Sequence, residues 1–112
     1  MLNQKKTLDT IKRYKANQQI SMLTCYDYLF AQLMDEADID CLLVGDSVGT
    51  NVLGYASEQD VTLPDMLHHT KAVARGVQTS FIISDLPYQT YETPEQALQS
   101  AQLLIKAGAD AI

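Results

Sequence analysis

Cys41-Leu42-Leu43-Val44-Gly45-Asp46-Ser47 and Phe81-Ile82-Ile83-Ser84-Asp85-Leu86-Pro87 are two short apolar runs, each closing on an aspartate. Their length suits a buried strand, and the acid falls at the strand's carboxyl end. Parallel α/β enzymes place metal and substrate ligands there. Asp46 and Asp85 are separated by about one β-loop-α unit, so neighbouring parallel strands would aim both carboxylates at one point. That point is the candidate active site.

Reading outward from these runs, strands alternate with helices. Thr7 to about Lys15 reads as a short amphipathic helix with Leu8, Ile11 and Tyr14 on one side. Ile20 to Thr24 is the first expected strand. Asp27 then caps a helix running to about Ala37, whose stripe of Phe30, Leu33, Met34 and Ala37 would pack on the sheet. The second strand, Cys41 to Val44, is nearly all apolar, as strands are when both faces of a parallel sheet are covered by helices. A long loop from Ser47 to about Asp60 carries Gly49 and Gly54. Thr62-Leu63-Pro64-Asp65 opens a helix to Arg75, with Gly76 read as its C′ residue. Strand three covers about Ser80 to Ser84. Thr93-Pro94-Glu95-Gln96 matches a capping box with proline at N1, and that helix stops at Gly108.

Ala109-Asp110-Ala111-Ile112 reads as the start of a fourth strand. The order is thus a short N-terminal helix, three β-α units and the beginning of another. Such alternation gives an α/β fold with a parallel sheet, either a (β/α)8 TIM barrel or a doubly wound sheet. A dinucleotide-binding doubly wound sheet expects a glycine-rich turn after strand one, and Thr24-Cys25-Tyr26-Asp27 has none, so the barrel is favoured. Closing a barrel takes roughly 200 to 250 residues. Residues 1–112 are therefore expected to form an incomplete barrel domain, cut as its fourth strand begins.

Composition excludes several classes. Hydrophobic residues make up 46% and charged residues 20%, which is globular composition, and no run approaches the ~18 apolar residues of a membrane helix. Met1 to Lys15 is polar and basic, without the apolar core of a secretory signal, which argues for the cytoplasm. Cys25 and Cys41 lie in or beside expected strands and read as reduced core thiols. The net charge of −6 is uneven. Residues 1–15 carry five Lys/Arg against Asp9, and the remainder carries three basic against thirteen acidic residues. So acidic a body repels phosphate backbones and argues against nucleic-acid binding. The basic leader reads as a solvated helix face.

Asp46 and Asp85 are hard oxygen donors suited to Mg²⁺, which takes one or two carboxylates and leaves its other positions to water and substrate. Such a metal can chelate a 2-oxo acid and acidify the carbon beside its carbonyl. Aspartates after strands also form turns and helix caps. Ser47 could bind a substrate carboxylate or simply turn the chain. His68 and His69 lie inside the expected third helix, beyond reach of the strand ends, and read as packing and surface residues. Tyr26 and Tyr88 follow strand ends and could line the pocket; Tyr28 is ambiguous between packing and site.

Together these stretches closely resemble the ketopantoate hydroxymethyltransferase (3-methyl-2-oxobutanoate hydroxymethyltransferase) family. The likeness is carried by Thr24-Cys25-Tyr26-Asp27-Tyr28, Leu43-Val44-Gly45-Asp46-Ser47-Val48-Gly49, His69-Thr70 with Val73 and Arg75-Gly76, and Ser84-Asp85-Leu86-Pro87-Tyr88. Thr93-Pro94-Glu95-Gln96-Ala97 and Lys106-Ala107-Gly108-Ala109 extend it along nearly the whole chain.

The resemblance implies a barrel in which Mg²⁺ holds 3-methyl-2-oxobutanoate. A hydroxymethyl group would come from 5,10-methylenetetrahydrofolate, giving 2-dehydropantoate for pantothenate and coenzyme A synthesis. It implies Asp46 and Asp85 as metal ligands, and Asp46, Ser47 and Asp85 as substrate-binding residues. The family's substrate-binding lysine, its further acidic metal-site residue and its general base would fall past Ile112. A homo-oligomer is implied for the full-length protein, and residues 1–112 alone are expected to be inactive and poorly folded. Two rivals remain: a barrel of the phosphoenolpyruvate mutase and isocitrate lyase type acting on a metal-bound oxo acid, and a non-catalytic fragment or assembly module.

Overall fold

The computed structural model describes residues 4–112, so the first three residues of the basic leader lie outside the described residues. Helix α1 (Leu8–Asn17) comes first and is capped by Thr7, whose side chain accepts from the Thr10 amide. Strand β1 (Met22–Thr24), helix α2 (Tyr28–Glu36) and strand β2 (Cys41–Val44) follow. Helix α3 (Leu63–Gly76), strand β3 (Phe81–Ser84) and helix α4 (Pro94–Ala107) complete the order.

Local chemistry explains most boundaries. Asp27 accepts from the Phe30 amide and starts α2 as expected. Thr62 and Asp65 exchange side-chain and backbone bonds in a full capping box at the start of α3. The cap of α4 differs from the sequence reading. Thr93 accepts from the Gln96 amide, but the Gln96 side chain accepts from Glu92 and donates to the Gln89 carbonyl, so it staples the preceding turn instead. Gly108 ends α4 with a φ of 124°.

The three strands form one parallel sheet in the order β1-β2-β3. Met22 pairs with Cys41, and Val44 pairs with Ser84. Beyond β3, Ala111 makes a parallel bridge to Ile83, supported by bonds from the Asp110 and Ala111 amides to the Ile82 carbonyl. The expected fourth strand thus begins where the sequence placed it.

The helices pack in one row, α2 against α3 and α3 against α4. Leu42, Val44 and Ile82 point into that layer and meet Ala31, Met66, Val73 and Leu104. Leu43 and Ile83, on alternate positions, are only half-buried. Among the described residues helices cover one face of the sheet, which corrects the expectation of cover on both. The fold is α/β, the N-terminal part of a (β/α)8 barrel. β1 marks its open edge, with Met22 53% and Leu23 46% exposed.

Two further expectations are corrected. α2 buries Ala31 and half-buries Met34 and Asp35, while Phe30 and Leu33 are exposed, so the packed face is rotated from the apolar stripe. Gly76 sits inside α3, and a Cβ there would meet the Tyr28 carbonyl oxygen at 2.6 Å and the Ala31 Cβ at 2.9 Å. Its role is close approach of α3 to α2, which a C′ reading does not capture.

Lys12, Arg13 and Lys15 on α1 are exposed, as a solvated helix face should be, whereas Lys5 and Lys6 ahead of the helix are docked. Lys6 is 8% exposed, donates its amide to the Thr79 carbonyl and reaches Asp38 at 2.8 Å. Lys5 bonds the Ser80 carbonyl and pairs with Asp110 at 2.6 Å. Nearby, Asp35 accepts from the amides of Gln78, Thr79 and Ser80 and from the Thr79 hydroxyl. Burial alone would push this carboxyl up, but those donors outweigh it and hold it at about 2. Cys25 and Cys41 are buried and free, as read.

Candidate functional site

The parallel register brings the two aspartates together. Because Val44 stands opposite Ser84, the next residues of each strand leave the sheet at the same level. Asp85 donates its amide to the Val44 carbonyl at 3.0 Å, and its carboxylate accepts from the Asp46 amide at 2.9 Å. The end of β3 is itself fixed from behind, since the Ser84 and Thr70 hydroxyls bond at 2.8 Å in the fully buried layer between β3 and α3.

Asp46 and Asp85 line an open cleft of about 450 Å³ together with Leu86, Tyr91 and Ile112. Burial pushes the Asp46 carboxyl up, and the charges of Asp85 and Glu58 push it further. No lysine or arginine among the described residues pairs with either acid, because the ion pairs all lie at the opposite end of the strands. Mutually repelling carboxylates without a cation partner are what a divalent metal would relieve. No group of three or more His, Cys, Asp or Glu that could hold a metal occurs among the described residues. That donor set suits a hard ion keeping water and substrate in its other positions, and it does not suit a closed structural site.

Ser47 lies beside that cleft, next to Asp85 around Gly45, and is not among the residues lining it. A Cβ added at Gly45 would stand 3.2 Å from the Ser47 Oγ and 3.3 Å from the Asp85 Oδ2, so the missing side chain leaves room where hydroxyl and carboxylate converge. Tyr26 bonds the Ser47 hydroxyl at 2.7 Å, but it lines a neighbouring pocket with Asp27, Phe30 and Asn51 and is not among the residues lining the aspartate cleft. Tyr88 and Tyr28 are exposed and do not line the cleft; Tyr91, which the sequence reading passed over, does. Its neighbours Gln89 and Glu92 gave no strand or helix signal that could have pointed to it.

The long loop after Asp46 is ordered. It contains a π-helical turn at Gly49–Leu53, closed by Gly54 at a φ of 74°, and a 3₁₀ turn at Glu58–Asp60. His68 is exposed, as read for one of the pair. His69 is not out of reach, because its Nδ1 bonds the Tyr26 carbonyl at 2.8 Å across from α3 to the end of β1.

Comparison with known proteins adds the following. The model of a family described as ketopantoate hydroxymethyltransferase matches residues 5–112. Curated relatives named 3-methyl-2-oxobutanoate hydroxymethyltransferase include that of Ignicoccus hospitalis, 50% identical over 93% of this chain and 40% of its own length. Those of Chloroflexus aurantiacus and Caldicellulosiruptor saccharolyticus are 55% and 46% identical, over 85% and 99% of this chain and 34% and 42% of their own. The chain therefore spans about two fifths of the relatives it matches. Among solved structures, a phosphoenolpyruvate phosphomutase from Streptomyces platensis subsp. rosaceus aligns over 94% of this chain and 36% of its own, at a TM-score of 0.76 and 14% identity. A phosphonopyruvate hydrolase complex with oxalate and Mg²⁺ aligns over 93% and 37%, at a TM-score of 0.75 and 14% identity. At that identity the likeness shows the fold alone.

Proposed function

The chain belongs to the ketopantoate hydroxymethyltransferase family, and on that premise we propose that the full-length protein hydroxymethylates 3-methyl-2-oxobutanoate. 5,10-Methylenetetrahydrofolate is the donor and 2-dehydropantoate the product, in pantothenate synthesis in the cytoplasm. The observation that supports this reading is the meeting of Asp46 and Asp85 in one cleft at the carboxyl ends of adjacent strands, with the Ser47 hydroxyl beside Asp85 around Gly45.

Asp46 and Asp85 would hold Mg²⁺, which when bound polarises the oxo acid and acidifies the carbon beside its carbonyl. The Ser47 hydroxyl supplies the donor that two acids lack and binds the substrate carboxylate. Asp85 also grips the Asp46 amide, so the orientation of one ligand depends on the other. We assign no general base within residues 4–112; it belongs to a later segment, as do the remaining strands of the barrel, and the full-length protein is proposed to be a homo-oligomer. The phosphoenolpyruvate mutase type of reading shares the fold at 14% identity. The half-identical relatives favour hydroxymethyl transfer.

The test is an assay of the full-length protein with oxo acid and folate donor, with Mg²⁺ and after chelation. Turnover is expected only with metal. Turnover that survives complete chelation, or none with metal and both substrates, sinks the proposal.

A further inference from the structure

A short relay of hydrogen bonds reaches Ser47 from β1, and its polarity can be read. Asn51, in the π-helical turn, donates its side-chain amide to the Tyr26 hydroxyl at 3.1 Å. A phenol carries one proton. Its oxygen accepts from Asn51, and the acceptor within reach of its own proton is the Ser47 Oγ, 2.7 Å away, so the arrangement that spends every proton has Tyr26 as the donor. Ser47 is then left with its own proton unspent, beside the space above Gly45 that Asp85 also borders.

The tyrosine is held from its other side as well. The Tyr26 carbonyl can only accept, so His69 carries its proton on Nδ1 and donates it across the 2.8 Å contact. α3 thereby fixes the backbone of the residue whose hydroxyl reaches Ser47. Tyr26 is half-buried, which limits competition from water for the Ser47 contact.

We propose that Tyr26 is a positioning residue that turns the Ser47 hydroxyl proton into the Asp46–Asp85 cleft, where it meets the carboxylate of a 2-oxo acid. This rests on the function proposed above. A serine whose oxygen accepts a hydrogen bond is a stronger donor through its own proton. Without the tyrosine hydroxyl, Ser47 is free to spend that proton elsewhere.

The experiment uses the full-length enzyme and reads KM for the oxo acid separately from kcat. Tyr26→Phe is expected to raise KM about tenfold with kcat within about twofold. Ser47→Ala is expected to raise KM by at least as much. The double variant should be no worse than Ser47→Ala, because the tyrosine acts only through the serine. Asn51→Asp, at an exposed position, replaces the donor by an acceptor; it should reproduce the Tyr26→Phe loss and add nothing in the Tyr26→Phe background. Should Tyr26→Phe fail to fold, Asn51→Asp against Ser47→Ala reads the same relay. Multiplying effects in either pair, or an unchanged KM in Tyr26→Phe, overturns the inference while leaving the function standing. A wild-type enzyme that binds no oxo acid overturns both.

Discussion

At the amino-terminal end of the strands Asp35 accepts four hydrogen bonds, and Lys5 and Lys6 pair with Asp110, Asp38 and Asp40. Asp46 and Asp85, at the carboxyl end, face a cleft with one backbone amide shared between them. Asp35 is held at about 2, whereas the carboxyl of Asp46 is pushed upward. Burial works against the charged form at both ends, so partners decide the sign. One end spends its polar groups on stability, and the other keeps them available for a ligand. This is the division of labour expected of a (β/α)8 barrel.

Exchanging these behaviours by mutation is the direct way to break the comparison. In the full-length protein, Asp85→Ala should cost about a thousandfold or more in turnover, since it removes a metal ligand and the grip on Asp46. Its thermal midpoint should change little, because relief of a repelling charge offsets the loss of one acceptor for the Asp46 amide. A large loss of midpoint alongside activity would show that the carboxyl end is structural after all.

Asp35→Ala should do the reverse. It orphans the amides of Gln78, Thr79 and Ser80 and is expected to cost about 3 kcal/mol in denaturant unfolding. Activity per folded molecule should be retained. The same carboxylate sets a pH response. Its folded value lies below the ordinary 3.8, so its stabilisation is fully present above that pH and disappears as pH falls from near 4 through about 2. Acid unfolding of the Asp35→Ala variant should lack that component.

Gly76→Ala sharpens the contrast least. The added methyl would meet the Tyr28 carbonyl and Ala31, so α3 must move off α2 at a cost of about 2 kcal/mol in the same unfolding measurement. An unchanged midpoint would mean the interhelix contact is looser than the distances imply.

What could be read in the sequence followed local chemistry. Val44-Gly45-Asp46 and Ile83-Ser84-Asp85 announced strand ends through composition alone, and Asp27, Thr62 and Thr93 announced helix starts through their oxygens. What could not be read depends on partners distant in the chain. α2 carries its strongest apolar residues on the exposed side, because the buried side is given to the small Ala31 and to Asp35, whose donors come from the loop before β3. A hydrophobic stripe cannot signal a face chosen by a carboxylate. Lys5 and Lys6 looked like a solvated run because Asp110, Asp38 and Asp40 come together with them only in three dimensions. The Tyr26–Ser47–Asn51 contacts were equally invisible, since they join the end of β1 to a turn the sequence showed only as a glycine-bearing loop.

The strap formed by Lys5 carries a kinetic consequence. Its partner Asp110 lies 105 positions away along the chain. Closing so large a loop costs entropy, so the contact is expected to form after the rate-limiting step of folding, which the unfolding and folding rates of Lys5→Ala would check. Interactions that arrive that late leave the folding rate alone and slow only the return journey. On that expectation Lys5, just ahead of an exposed helix, would act as a latch on lifetime, delaying escape from a structure whose assembly it does not direct.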